Sequence, residues 1–513
     1  MTTNILERDK VINYDTDMWV DEAIWGHRLY DEQTPWLTFL EFLGILQTEL
    51  EQDKALAEPN SLKYNSYSRL YLRNILFNNP QLEAIYTEYD HDDDRWEQWL
   101  KIIAEKSGGI ESADFSYLEK RFTSFRDFVE VVKFLQSTAI EGDSNKRWSS
   151  KFVFPYGPDC LYEDLRVTDK GGANNDRRFF ARTGELLYLM LCRSEKGAEI
   201  LPHLQKIGIV SPKNFPTNKW NQLVAMLQPE NHRQYREKSS SSKPPYLPYI
   251  KLPEYENLAN DWLNLFNCNL PNYDVLPHLV TITGLHLLLY LLHRAKAILN
   301  EPIPPTFVLE IVASKKTLVR DLASDSYSEN NGLSVKAIQA KIHSIGESLE
   351  WQKCQNISEA ISILNIEFFW TEDKSSGTPQ SILEEFCQKA IARHKQHLGK
   401  FHSNWAKEIG LSSSKGSRRI RYTPTDFLLK TLVLCSVPKR LEFQEFLTIL
   451  YEKYGFIIGE QQAQKFMATG EADKTTFFEN KQRLENRLTS LGLVKRLSDA
   501  CAYVQNPFYR EID

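Results

Sequence analysis

The sequence has no two cysteines at CxxC spacing. Its seven cysteines, Cys160, Cys192, Cys268, Cys354, Cys387, Cys435 and Cys501, are scattered singly over 513 residues. Single cysteines in a chain of this length indicate buried, reduced thiols of a cytosolic protein rather than a disulfide framework. The stretch MTTNILERDK has no apolar segment of the secretory type, so we expect a cytoplasmic protein.

Long hydrophobic runs are also absent. The most apolar run, LVTITGLHLLLYLL at residues 279–292, is too short to span a bilayer and contains His286. It predicts a buried core helix, and no membrane contact is expected.

The motifs that mark the common enzyme classes are missing as well. No GxxxxGK[ST], GxGxxG, GxSxG or HExxH occurs. The stretch VLEIVASKK looks like the acidic strand of a restriction-type nuclease, which needs a lysine two residues after the acid. Here Glu310 is followed at that position by Val312. We therefore predict a non-enzymatic protein without catalytic residues, metal or cofactor.

Two groups of histidines require a separate hypothesis. His278, His286 and His293 recur at spacings of 8 and 7 on one face of an apolar helix, which favours hydrogen-bonded core or interface histidines. The stretch ARHKQHLGKFH brings His394, His397 and His402 close together, but no cysteine or carboxylate at ligand spacing joins them. We interpret this second group as a solvated helical face.

The hydropathy pattern predicts a mainly α, multi-domain helical protein with few β-strands. Hydrophobic residues make up 42% and aromatic residues 12% of the chain, which argues against extensive disorder. A run of four serines followed by prolines predicts a linker. The predicted division is an N-terminal helical domain at 1–235, a Ser/Pro-rich linker at 236–254, a middle helical domain at 255–411 and a last domain at 412–513.

The last domain has the element order of a winged helix. Helices are predicted over DFLLKTLVLCSV, LEFQEFLTILYEKYG with Gly455 as its terminator, EQQAQKFM, and from near Lys474 to Gly492. The stretches LVKRL and ACAYV then pair across Ser498 and Asp499 as the wing.

The last predicted helix has one apolar and one polar side. Phe477, Leu484, Leu488 and Leu491 share the apolar side. The opposite side carries Gln482, Asn486, Thr489 and Ser490, with Arg483 close by. Gln482, Arg483 and Asn486 are the predicted reading surface for a major groove. Cations that would hold the phosphate backbone flank it: Lys495 and Arg496 on the wing, and a basic arm of Lys415, Arg418, Arg419 and Arg421.

The charge distribution agrees with a contact confined to this end. Residues 415–513 contain 16 Lys and Arg against 12 Asp and Glu, a net charge of +4 in a chain of net charge −6. Glu479 and Glu485 lie on or near the polar side, however, and would repel phosphates. A protein–protein adaptor whose winged helix does not contact DNA therefore stays open as the alternative.

An irregular stretch at residues 145–182 holds another polar constellation, with Asp176, Arg177, Arg178 and Arg182 as its possible site. Paired arginines beside aromatic residues hold phosphates or stack on bases. We favour a salt-bridged loop that closes the first core. A divergent metal-dependent nuclease that uses residues 164–185 is the further alternative.

The phrases FVFPYGPDCLYEDL and NDRRFFARTGELLYLMLCRS, together with the predicted winged helix, resemble uncharacterised accessory subunits encoded in prokaryotic multi-gene anti-phage defence systems. The resemblance implies a role beside partner proteins such as a modification or DNA-translocating enzyme. We therefore expect a DNA-binding or scaffolding subunit, with duplex DNA and other proteins of a complex as its partners.

Overall fold

The structure is a computed structural model of the 513-residue chain. It describes residues 18–26, 29–57, 64–77, 79–107, 109–110, 112–137, 156–161, 165–167, 173–175, 182–212, 217–230, 234–238, 247–301, 304–313, 316–372, 376–415, 418–498 and 501–509.

The protein is mainly α-helical, which confirms the predicted fold class. Its α-helices are, in chain order, α1 Asp21–Trp25, α2 Pro35–Glu51, α3 Leu70–Phe77, α4 Leu82–Glu88, α5 Asp92–Lys106, α6 Phe125–Ser137, α7 Thr183–Cys192, α8 Gly197–Ile207, α9 Lys219–Met226, α10 Pro253–Phe266, α11 Val275–Ile298, α12 Leu318–Gly346, α13 Leu349–Gln352, α14 Ile357–Phe368, α15 Pro379–His397, α16 Phe401–Glu408, α17 Asp426–Ser436, α18 Phe443–Tyr454, α19 Gln464–Ala468 and α20 Lys474–Ser490.

The strands are few and short. They are β1 Tyr64–Ser68, β2 Leu165–Val167, β3 Ala173–Asn175, β4 Gln234–Lys238, β5 Phe307–Val308, β6 Ser412–Ser413, β7 Arg421–Tyr422, β8 Arg440–Glu442, β9 Phe456–Ile457, β10 Val494–Ser498 and β11 Cys501–Gln505. β1 pairs with β4, β2 with β3 and β6 with β7, all antiparallel, whereas β5 and β9 are parallel. The remaining sheet has the order β10–β11–β8.

The helix boundaries follow local chemistry. At the start of α15, the Thr378 side chain accepts a hydrogen bond from Ser381 N, and the Ser381 hydroxyl oxygen accepts one from Thr378 N. Pro379 occupies the first turn. At the end of α18, Gly455 has a φ of +74°, a left-handed conformation that would be strained for a residue with a side chain. Gly455 is thus the terminator that the sequence predicts.

The chain divides into two compact units. One consists of Trp36–Leu189 and Leu201–Pro244. Its core is rich in aromatic rings: Trp96 and Trp99 of α5 pack on Phe125 and Phe128 of α6. The Trp99 indole N–H donates to the Asn79 side chain at 2.9 Å, so its polar atom is not left unpaired in the core.

The other unit consists of Met1–Pro35, Met190–Ile200 and Pro245–Asp513, and α11 forms its centre. Within the described ranges, α11 is the one helix long and apolar enough to cross a membrane, judged by length and composition. However, 83% of its most apolar window is buried inside the protein. This burial confirms the predicted core helix.

Two carboxylates of α10 lie against two histidines of α11, seven residues apart on each helix. Asp261 accepts hydrogen bonds from His286 Nε2 at 2.6 Å and from the Tyr454 hydroxyl at 2.8 Å, and it pairs with Lys453. Burial raises the pKa of Asp261, but Lys453 and His286 outweigh this and hold the pKa below its ordinary value. The Asp261 carboxylate therefore connects α10, α11 and α18.

Two helical turns earlier on α10, Glu254 accepts hydrogen bonds from His293 Nδ1 at 2.6 Å and from Arg294 at 2.9 Å. Burial opposes ionisation, yet these partners lower the pKa of Glu254 to about 2. The third histidine, His278, bonds the Thr431 hydroxyl at 2.7 Å. All three are hydrogen-bonded core histidines, as predicted.

Asn480 holds α20 against the strand pair β5–β9. Its amide nitrogen donates to the carbonyls of Leu309 at 2.9 Å and Ile458 at 3.0 Å, and its oxygen accepts from Ile311 N at 2.9 Å. The side chain is fully buried. α20 is therefore fixed by three hydrogen bonds to two segments that are distant in the sequence.

The predicted domain boundaries map onto these elements as follows. Residue 412 lies in β6, inside the unit that contains Pro245–Asp513. In the predicted linker, Arg236 to Lys238 belong to β4, residues 239–246 lie outside the described residues, and Pro253 begins α10. The division into independent domains stays a prediction.

We expect Asn480→Ala to lower the free energy of unfolding by roughly 2–4 kcal/mol, because it leaves buried backbone groups without partners. Asn486→Ala is the matched control: it lies on the same helix with an exposed side chain, and its effect should stay within about 0.5 kcal/mol. Urea titrations followed by tryptophan fluorescence measure both. Equal midpoints for the two variants would contradict the anchoring role.

Candidate nucleic-acid interface

A three-stranded sheet follows α20 at the carboxyl end of the chain. Gly492, with a φ of +74°, lies between α20 and β10. β10 and β11 then pair as a hairpin, with Lys495 opposite Tyr503, and β11 also pairs with β8. This confirms that LVKRL and ACAYV pair. The turn is one residue later than predicted, because Ser498 belongs to β10 and lies opposite Cys501, and Asp499 and Ala500 lie outside the described residues.

The apolar side of α20 is largely as predicted. Phe477, Leu484 and Leu488 are fully buried. The helical spacing also places Leu491 on this side, but Leu491 is the C-cap residue and is 38% exposed, because the helix has already ended there. The buried Asn480 was not foreseen.

The polar side of α20 presents two of its three predicted residues. Gln482 and Asn486 are exposed, whereas Arg483 is half-buried and lies 3.4 Å from Glu479. Thr489 and Ser490 are exposed, but their hydroxyls donate to backbone carbonyls one turn back. The exposed amide groups of Gln482 and Asn486 are thus the side chains of this face best placed to bind a partner.

The N-terminus of α20 is capped by Asp473. Its carboxylate accepts from Thr476 N at 2.7 Å and from the Thr476 hydroxyl at 2.6 Å. These two bonds lower the pKa of Asp473. The cap places a fixed negative charge at the helix N-terminus, where the dipole favours it.

Cations surround the hairpin. Lys495 and Arg496 are exposed, and Arg496 Nε lies 3.3 Å from Glu485. Two further exposed cations, Lys439 and Arg440, are not marked by any local sequence pattern. Lys439 lies just before β8 and Arg440 begins it, with Arg440 over the Tyr503 ring at 5.1 Å. Only the pairing of β8 with β11 brings them beside the hairpin.

The predicted basic arm divides in two. Lys415, Arg418 and Arg419 are exposed, with Arg419 3.8 Å from Asp325. Arg421 is 2% exposed and pairs with Glu310, so the structure does not place it on the arm surface. The physical reason is that Glu310 is itself fully buried and needs cationic partners inside the protein.

Glu310, the acid of the nuclease hypothesis, lies between two guanidinium groups. Arg320 Nε contacts one oxygen at 2.7 Å, and Arg421 contacts the other. This carboxylate therefore serves as the centre of a buried ion cluster. Among the described residues, no three His, Cys, Asp or Glu side chains are grouped so as to hold a metal ion.

The second histidine group is not a solvated face, and that prediction was wrong. His394 is 2% exposed, with Nδ1 2.8 Å from Asp21 and Nε2 3.0 Å from the Ser334 hydroxyl. His402 is 8% exposed and contacts the Tyr422 hydroxyl at 2.7 Å. Helix α1, which supplies Asp21, packs on the side of α15 that carries Arg393 and His394, although the sequence around these two residues is basic.

The possible polar site of the irregular stretch is described only in part. Asp176, Arg177 and Arg178 lie outside the described residues. Arg182 pairs with Glu185 at 2.7 Å and has a φ of +66°. The Arg182–Glu185 ion pair at the start of α7 agrees with the salt-bridged loop predicted from the sequence, as far as Arg182 is concerned.

Comparison with known proteins relates the chain to a functional class. Over part of its length it is similar to proteins of anti-phage defence systems. Residues 380–507 match the model of a family described as Methylation-associated defense system protein MAD7. A comparison with curated protein sequences gave no match.

The match supports an accessory protein of an anti-phage defence system, in agreement with the resemblance at residues 152–194, which lie outside the matched range. It contains the whole candidate interface, from the basic arm to the hairpin. Association with a multi-gene defence system also suggests protein partners.

Burial makes His402 a source of acid sensitivity. Desolvation lowers the pKa of His402 to about 3, so the folded protein keeps the ring neutral while the unfolded chain protonates near pH 6.5. The associated stability is complete above pH 6.5 and is lost as the pH falls towards 3. Between pH 7 and 5 we expect His402 to account for a loss of about 2 kcal/mol.

The variant His402→Gln should therefore show a flatter dependence of unfolding free energy on pH, measured by urea titration at pH 7 and pH 5. His343→Gln, on α12 with an exposed side chain, should keep the wild-type dependence. A His402→Gln profile as steep as that of the wild type would refute this assignment.

Proposed function

We propose that this chain is a non-catalytic, cytoplasmic subunit that connects an anti-phage defence complex to duplex DNA through a winged helix. The order α17, β8, α18, α20, β10, β11, with β9 and the short α19 inserted between α18 and α20, supports the winged helix, and so does the sheet order β10–β11–β8. This arrangement is the observation that carries the proposal. In such motifs a helix enters the major groove and flanking elements contact the backbone.

The exposed chemistry supports a DNA contact. Gln482 and Asn486 lie one turn apart on the outward side of α20, and amide side chains form paired hydrogen bonds with adenine. Lys495 and Arg496 on the hairpin, and Arg418 and Arg419 on the arm, are exposed cations that suit phosphates.

A second candidate function is protein scaffolding through the same surface. Phe478 is 41% exposed and Leu497 is 59% exposed, and such side chains are typical of a protein contact. Arg483 and Arg496 also pair with acids of α20, which weakens their attraction for phosphates. In this alternative the C-terminal surface binds another subunit of the complex, and that subunit contacts the DNA.

The first test is the salt dependence of duplex binding by the full chain, measured by fluorescence anisotropy with a mixed-sequence duplex. Each phosphate contact contributes about 0.9 to the slope of log affinity against log salt. Lys495→Ala with Arg496→Ala should weaken binding to every sequence and reduce that slope by about 2.

The matched control is Lys336→Ala with Lys353→Ala, which removes two exposed cations from α12 and the residue after α13. Its slope should equal that of the wild type. If the wild-type protein binds no duplex at low ionic strength, the DNA proposal fails and the scaffold takes its place.

The second test separates base contacts from backbone contacts. Asn486→Ala should change the discrimination between duplex sequences by about 1–3 kcal/mol if Asn486 makes a bidentate base contact. Its salt slope should stay as in the wild type, because no charge is lost. A selection from random duplexes with both proteins measures the preference. Identical preferences would exclude Asn486 from base recognition.

A further inference from the structure

Three aromatic rings lie nearly parallel at the surface of the unit that contains Trp36–Leu189. Phe134 of α6 and Trp220 of α9 have centroids 5.5 Å apart at an interplanar angle of 21°. Tyr156 lies 5.6 Å from Trp220 and 6.5 Å from Phe134, at 27° and 15°. We call Phe134, Tyr156 and Trp220 the aromatic platform.

The platform is held in place by asparagines at the start of α9. Asn218 caps the helix by accepting from Asn221 N at 2.9 Å, and its amide donates to Tyr156 O at 2.8 Å. Asn221 in turn accepts from Asp159 N at 2.8 Å and donates to the Asp159 carboxylate at 2.9 Å. The Tyr156 backbone is thereby fixed beside Trp220, so little ordering is needed when a ligand binds.

Two residues of the platform are exposed, and Tyr156 is half-buried. Phe134 is 41% exposed and Trp220 is 43% exposed, although both belong to helices that bury other aromatic and aliphatic residues. Exposed aromatic residues held in a fixed arrangement are a feature of binding surfaces.

The ring geometry selects the chemistry of the ligand. A cage for a methylated ammonium group surrounds the cation with several ring faces. Here the rings are stacked on one another within 27° of parallel, so their faces share one orientation. Such an arrangement suits a flat partner that stacks, and nucleic-acid bases are flat and stack on aromatic side chains irrespective of sequence.

The charges at the border are mixed. Lys133 adjoins Phe134 and pairs with Glu83 at 2.7 Å, in a surface bridge of the kind that contributes little and that a phosphate can replace. Lys219 adjoins Trp220 and is exposed, while Glu130 lies one turn before Phe134. Stacking rather than charge must therefore supply most of the affinity.

We propose that the aromatic platform binds a base of single-stranded nucleic acid by stacking. This site is separate from the C-terminal interface in sequence and in chemistry, and it does not depend on the proposed function. It would give the protein a contact with unpaired strands, which arise wherever a duplex is opened.

The experiment uses the full chain and a fluorescein-labelled twelve-nucleotide oligothymidylate, with affinity measured by anisotropy. Trp220→Ala and Phe134→Ala should each weaken binding about 5- to 150-fold, the range for loss of one base–aromatic stack. Trp220→Phe, which keeps a ring, should restore most of the affinity. Raising the salt should weaken binding less steeply than it weakens duplex binding.

Met226→Ala is the matched control, because Met226 ends the same helix and is 38% exposed without a ring; it should bind as the wild type does. Lys495→Ala with Arg496→Ala should leave oligothymidylate binding unchanged, and Trp220→Ala should leave duplex binding unchanged. Unaltered oligothymidylate affinity in Trp220→Ala, or binding of a proline-rich peptide in place of the oligonucleotide, would overturn the proposal.

Discussion

A carboxylate without access to water must find its countercharges inside the protein, and Asp261 does so by joining three helices. His286 of α11 and Lys453 and Tyr454 of α18 all contact this one side chain of α10. The loss of any one partner would leave charge or hydrogen-bonding capacity unsatisfied in the core. These contacts fix the position of α18 relative to α11. Strand β8, which directly precedes α18, is thereby fixed as well.

A second buried cluster extends this constraint to the candidate interface. Glu310 lies at the end of the segment that begins with β5, between Arg320 and Arg421, and Asn480 joins the same segment to α20. The orientation of α20 is therefore set by polar bonds as well as by Phe477 and Leu484. Gln482 and Asn486 face outward because Asn480 is held inward by hydrogen bonds to two carbonyls and one backbone N–H.

Local periodicity was sufficient for the helices, the hairpin and the core histidines of α11, because those depend on neighbours along the chain. It was insufficient wherever the partner is distant. The local pattern predicts a solvated His394 because its partner Asp21 lies more than 370 residues away. It places Arg421 on the basic arm because Glu310, its partner, is also distant in the sequence. Lys439 and Arg440 join the interface only through the pairing of β8 with β11. The exposed platform of Phe134 and Trp220 likewise required the packing of two helices.

The parallel pairing of β5 with β9 also has a consequence for the order of events during synthesis. Phe307 meets Phe456 only after nearly 150 further residues have been made, and the Arg393–Glu22 ion pair closes a still longer loop. Contacts of such high sequence separation form late and slowly. During translation, the helix around Glu22 must therefore wait for its partners, while Trp36–Leu189 already contains most of its own core. The apolar residues Ile24 and Trp25 of this helix therefore lack their native packing until Arg393 and His394 have been made, and transiently exposed apolar surface of this kind favours aggregation.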